Sequence, residues 1–145
     1  LGYESMNLSR NTDARHDLVQ ALVGIGEVFS RKQEYTQANR YLREALLLSH
    51  GLGFLHGVAI SLSFLAYSLH CMGDSTLAAQ LESASQKLRK EIGVAPATPA
   101  SLEKTLRFHN ELKVVLSEKE FAEAWSFGEN LSILEAIEMV AQSDK

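Results

Sequence analysis

Residues 19–52, VQALVGIGEVFSRKQEYTQANRYLREALLLSHGL, and residues 59–92, AISLSFLAYSLHCMGDSTLAAQLESASQKLRKEI, read as two copies of one helix–turn–helix unit. The first copy is marked by Leu22, Ile25, Gly26, Phe29, Tyr35, Ala38, Leu42 and Ala45. The second is marked by Leu62, Leu65, Ala66, Leu69, Gly73-Asp74, Ala78 and Ser85. Small residues recur where two helices must touch, and large apolar residues recur three and four apart between them. The matching alanines Ala38 and Ala78 are 40 residues apart. A unit of this kind cannot bury its apolar face alone and stacks on its neighbours. The expected fold is therefore all-α: a helical-repeat superhelix of about two helix pairs, followed by a capping tail of about three short helices.

Composition agrees. The 145 residues are 46% hydrophobic with only 2 Pro, enough for one globular domain with an ordinary core. Alternating β-branched runs are absent, so no strand is expected. Net charge is −4, from 14 basic and 18 acidic residues. A nucleic-acid surface needs a basic face. The nearest approach is Lys87, Arg89 and Lys90 on one helix and Lys104 and Arg107 on another, read as solvated faces. No direct nucleic-acid contact is expected. Cys71 is the single cysteine, which excludes an intrachain disulfide; it reads as a buried small hydrophobe beside His70. The apolar stretch from Phe54 to Met72 is interrupted by His56, Gly57, Ser61, Ser63, Ser68 and His70, too polar for a membrane span. No signal peptide is visible, and a cytoplasmic location without membrane contact is expected. The chain opens on Leu1 rather than Met and is expected to be a piece of a longer protein.

Four segments follow. Residues 1–11 are polar and read as the end of a preceding repeat or an irregular connector. Residues 12–93 hold the two helix pairs. The first helix is expected from Ala14 to Lys32, capped by Thr12 or Asp13, with Leu18, Leu22, Ile25 and Phe29 as its inner stripe. Gly24 and Gly26 predict close approach of a neighbouring backbone. Helices over Tyr35–Ser49, Leu55–Met72 and Thr76–Ile92 follow. Gly51 is the expected left-handed cap of the second, Asp74 or Ser75 the N-cap of the fourth, and Gly93 its stop. The third, nearly all small or apolar, should be central. Residues 94–100, with Pro96 and Pro99, read as a linker. Residues 101–142 hold the C-terminal capping helices, with Ser101 as a first cap. The Ser117–Glu120 and Ser132–Glu135 pairs are capping boxes. Phe121 and Trp125, four apart, share a face and read as core.

The small positions Gly26, Ala38, Ala45, Ala66 and Ala78, with the large positions Ile25, Phe29, Tyr35, Leu65 and Leu69, resemble the tetratricopeptide repeat. The chain departs from that pattern at Ser85, at Glu82, and in having no closing proline. The tail extends the likeness. Leu81 to Gly93, Pro99, the helix to Leu116, Phe121-Ala122-Glu123-Ala124-Trp125, Gly128, Leu131-Ser132 and Glu135-Ala136 resemble the C-terminal region of bacterial multidomain signalling regulators. These are the LuxR-type and STAND-type nucleotide-switch ATPases. Ser117 stands where they commonly have glycine. The resemblance implies a sensor or scaffold segment of a transcription regulator or similar switch.

In such repeats the binding surface is the inner face of each unit's first helix. That places Gln20, Val23, Glu27 and Arg31 of the first unit and Ser63, Tyr67 and His70 of the second on a groove. The Lys and Asn that clamp a C-terminal carboxylate in some members are absent. The acidic, aromatic lining suits a polar or basic peptide segment, or another part of the parent protein. A groove filled by the tail helices remains an open alternative. The five histidines form no ligand pair at helical spacing, and one cysteine does not make a zinc site. Phosphate-binding glycine loops and the nucleophile elbow are missing. Glu27 with Glu34, and Glu118 with Glu120, lack a neighbour to raise one pKa. Catalytic, metal and cofactor residues are therefore expected to be none. The expected function is a non-enzymatic interaction and sensor module with a protein or peptide partner. The alternative is a homodimerisation or scaffold domain without its own ligand.

Overall fold

The computed structural model describes the backbone of residues 2–94 and 99–143, with side chains from residue 11 onward. It contains seven helices among the described residues: α1 (Gly2–Arg31), α2 (Tyr35–Leu52), α3 (Leu55–Cys71), α4 (Ser75–Glu91), α5 (Pro99–Val115), α6 (Glu118–Glu129) and α7 (Ile133–Gln142). The described residues include no strand.

One turn recurs at the C-terminal end of each of the helices α1 to α4. Gln33, Gly53, Gly73 and Gly93 all take positive φ, at 63°, 69°, 100° and 76°. They stand 20 residues apart in the chain. Each follows the same hydrogen-bond pattern. The residue after the left-handed one donates back across the turn: Glu34 to the Phe29 carbonyl, Phe54 to Ser49, Asp74 to Leu69 and Val94 to Arg89, all at 2.9 Å. The left-handed residue itself donates to the carbonyl three back, so carbonyls at each helix end find partners. Gln33 is the one turn residue with a Cβ to strain there. Gln33→Gly should raise the denaturation free energy by about 0.5–1 kcal/mol, measured as a shift of the urea midpoint. Gly53 takes the cap role expected at Gly51, which lies inside α2. The 20-residue register fixes this choice, because Gly53 falls midway between Gln33 and Gly73.

Two boundaries differ from expectation. The connector expected over residues 1–11 is helical from Gly2 on, and Thr12 and Asp13 lie inside α1. The segment has no Pro, and a short polar run costs only tenths of a kcal/mol per residue in a helix. Ser101 is likewise interior, because α5 already begins at Pro99. Proline fits a first turn, where its missing N–H costs nothing. The remainder of the expected linker, residues 95–98, lies outside the described residues. Asp74 caps α4 by accepting from the Leu77 N–H at 3.2 Å. Ser117 and Ser132 form complete capping boxes with Glu120 and Glu135. Hydrogen bonds from Ser117 and Ser132 hold both of these exposed carboxyls below their ordinary pKa.

Packing follows the small residues. α1 lies on α2, α2 on α3 and α3 on α4, and α1 also reaches α3, so the two first helices lie side by side. α3 and α4 bury nine residues each, so the centre of the fold is shared between them rather than held by α3 alone. α1 is rotated from the expected stripe. Val19 is buried and Val23 and Phe29 pack on the core, whereas Leu18, Ile25 and Val28 are about half exposed. Gly26 sets this rotation: a Cβ there would sit 2.6 Å from Leu42 Cγ. Gly24, by contrast, has open space around it.

The tail closes the stack. α6 packs against α4. The contact point is Gly128, where a Cβ would overlap the Gln80 carbonyl and come within 2.7 Å of Ser83 Cβ. Ser83 Oγ donates to the Trp125 carbonyl at 2.6 Å beside it. α7 contacts α2 and α4, and α5 lies against α4 and α6.

Candidate functional site

The residues expected on the groove separate into two groups. On α1, Gln20 is exposed, Val23 is packed against the core, and Glu27 accepts from Arg31 at 2.6 Å. Glu27 and Arg31 thus satisfy each other on the surface. On α3, Ser63 turns toward α4 and donates to Glu82 Oε2 at 2.8 Å. Tyr67 is 40% exposed and meets Phe108 of α5 edge-on, with ring centroids 5.5 Å apart. His70 also faces Phe108, shares a hydrogen bond with Ser75 Oγ at 2.8 Å, and stands 3.6 Å from Glu111. Phe108 and Glu111 of α5 therefore reach the second unit's part of the face beside Tyr67 and His70.

Beside Tyr67 is a cluster that sequence spacing did not reveal. Cys71 is exposed rather than buried, since it is the last residue of α3. A hydrogen bond with Cys71, then burial, push the Tyr35 hydroxyl up to about 12. Burial, followed by the Cys71 charge, raises Tyr67 as well. Both phenols stay protonated and can donate hydrogen bonds at neutral pH.

Glu82 is the most deeply buried charged group among the described residues, at 2% exposure. It accepts from Ser63 and from Gln86 Nε2 at 3.3 Å, with Arg89 as an opposing charge. Burial nonetheless raises its pKa, because desolvation outweighs these partners. A carboxyl raised by folding supports the fold fully below its unfolded value, near 4.5, and loses that support as pH rises through the folded value. Glu82→Gln should therefore be more stable than the parent at pH 7, and the gap should close as pH falls below 4.5. Urea midpoints of the two proteins across that range are the check.

A concave feature lies between α4, α5 and α6, with a volume of about 970 Å³. Lys87, Arg89 and Lys90 line it from α4, Leu106 and His109 from α5, and Trp125 and Glu129 from α6. Its aromatic wall, His109 and Trp125, packs against the buried Phe121. Phe121 and Trp125 stack at 5.4 Å, and His109 meets both edge-on at 4.9 Å. Burial, then Lys113, lowers the His109 pKa, so the ring is neutral at pH 7. Trp125 packs against the core, as its spacing with Phe121 implied, but it also faces this cavity. The basic residues are visible in sequence as a helix-face cluster. Their meeting with Trp125 depends on α6 docking, which spacing along one helix does not encode.

No group of three or more His, Cys, Asp or Glu among the described residues is placed to hold a metal ion. No helix among them is long and apolar enough to cross a membrane. Compared with known proteins, the chain matches no family model, no curated protein and no solved structure.

Proposed function

We propose that this chain is a non-enzymatic protein-interaction and sensor module. In this reading it is a tetratricopeptide-like segment from the C-terminal region of a bacterial transcription regulator or signalling ATPase. The observation that carries it is the 20-residue recurrence of one turn, which joins two helix pairs with α1 and α3 side by side. Repeats of that kind present their first helices to partners. Here that face carries the half-exposed Tyr67, with Glu111 nearby, and on α1 the exposed Gln20 and Arg31 with the half-buried Glu27. An aromatic anchor with the Glu111 carboxylate beside it suits a basic or polar peptide. A peptide array spanning basic, neutral and acidic sequences tests this. Basic peptides should be retained, and Tyr67→Ala should weaken the best of them about tenfold with an unchanged helical spectrum. Equal retention of acidic peptides, or no effect of Tyr67→Ala, would contradict the reading.

A second reading, homodimerisation, is favoured by one observation. Leu18, Ile25 and Val28 are large apolar residues left exposed on α1. Ile25→Glu would disrupt a dimer built on them, and a monomeric parent in light scattering would exclude it.

A further inference from the structure

We propose that the cavity between α4, α5 and α6 binds a small organic phosphate, with the phosphate held by Lys87, Arg89 and Lys90 and an apolar or aromatic body against Leu106, His109 and Trp125. The inference does not rest on the peptide-binding reading, since the cavity uses different residues from Tyr67 and the α1 groove positions.

Three observations carry it. The first is size. About 970 Å³ falls at the upper end of small-molecule sites, whose lining is mostly apolar with a few placed polar groups. The second is charge. Three cations line the cavity against one carboxylate, Glu129, in a protein whose net charge is −4. Cations in a last helical turn offset the helix dipole, which accounts for Arg89 and Lys90 by themselves. It does not account for their sharing a concave wall with the only tryptophan of the chain. Their existing partners are weak or one-sided. Lys87 stands 4.0 Å from Glu91, both partly exposed, a pair of little worth. Arg89 faces the Glu82 charge within the fold, yet its buried Nε has no hydrogen-bond partner among the described residues. The third is the opposite wall. His109 and Trp125 line it and are held by edge-on and stacked contacts with each other and with the buried Phe121, so an aromatic face is presented at little ordering cost. Two lysines and an arginine favour a dianionic phosphate over a single carboxylate.

The test is titration of the whole chain with phenyl phosphate, followed by the fluorescence of Trp125 and by calorimetry. Inorganic phosphate, benzoate and phenol serve as the parallel probes. A saturable response to phenyl phosphate is expected, with each of the other probes weaker by about tenfold or more. Lys87 and Lys90 are exposed enough to change without unfolding, so the double variant Lys87→Gln, Lys90→Gln should weaken phenyl phosphate about tenfold. Arg107→Gln, a solvent-exposed change on α5 outside the cavity, should leave it unchanged. No saturable response, or unchanged affinity in the double variant, would overturn the proposal. Benzoate binding as tightly as phenyl phosphate would overturn the phosphate assignment. Inorganic phosphate alone binding as tightly would overturn the role of the aromatic wall.

Discussion

Gly128→Ala should destabilise the protein by about 2 kcal/mol, even though alanine is the better helix former by about 1 kcal/mol. The reason is the nature of the obstacle. A new Cβ at this point of α6 meets the Gln80 backbone carbonyl and Ser83 Cβ on α4, and neither is the movable end of a side chain. α6 must back away, which breaks the Ser83–Trp125 hydrogen bond. Gly24→Ala is the internal comparison. Nothing lies within 4 Å of a Cβ there, so only the propensity gain remains, and the variant should be about 1 kcal/mol more stable. The opposite signs of two identical substitutions, both in helices, would separate packing from propensity. Urea denaturation followed by circular dichroism measures both.

Leu112→Ala should cost about 2–5 kcal/mol, the range for deleting a fully buried leucine side chain. Leu112 is on α5, beyond the proline-containing segment, and it belongs to the same core cluster as Leu62 and Leu81. A cost of that size means that the tail contributes to the one core rather than resting on it. Val114, two residues on and 85% exposed, is the control: Val114→Ala should stay within about 0.5 kcal/mol of the parent.

Periodicity exposes the helix pairs because their cores are local. Ala38, Leu42, Ala45 and Leu46 repeat at helical spacing within one element, and all four are buried. The spacing of Ala38 and Ala78 likewise contains the 40-residue period that the turns at Gln33, Gly53, Gly73 and Gly93 divide in half. The capping boxes are legible for the same reason, since Ser117 and Glu120 satisfy each other within one turn. What the sequence hides is relational. α1 carries apolar residues on more than one face, and the contact of Gly26 with Leu42 decides that Val19 is buried and Leu18 is not. Gly128 reads as an ordinary tail glycine until α6 is set against α4. The residues expected on a groove show the same division. Tyr67 and His70 can be placed on the inner helix from spacing, but not the arrival of Phe108 from α5 beside them. Cys71 reads as buried from its apolar neighbourhood, while its place at the end of α3 leaves it exposed.

With Leu112, Ala124 and Ala136 in the same core as Leu62 and Leu81, α5, α6 and α7 are part of one cooperative unit with the two helix pairs. Native-state hydrogen exchange tests it most directly, because it reads the opening free energy of each helix separately. Amides around Leu112 in α5 and Ala124 in α6 should exchange with the same free energy as those around Leu65 in α3, and Gly128→Ala should lower all three together. Rapid exchange through α5–α7 beside a protected α3, with Gly128→Ala affecting only the tail, would contradict it.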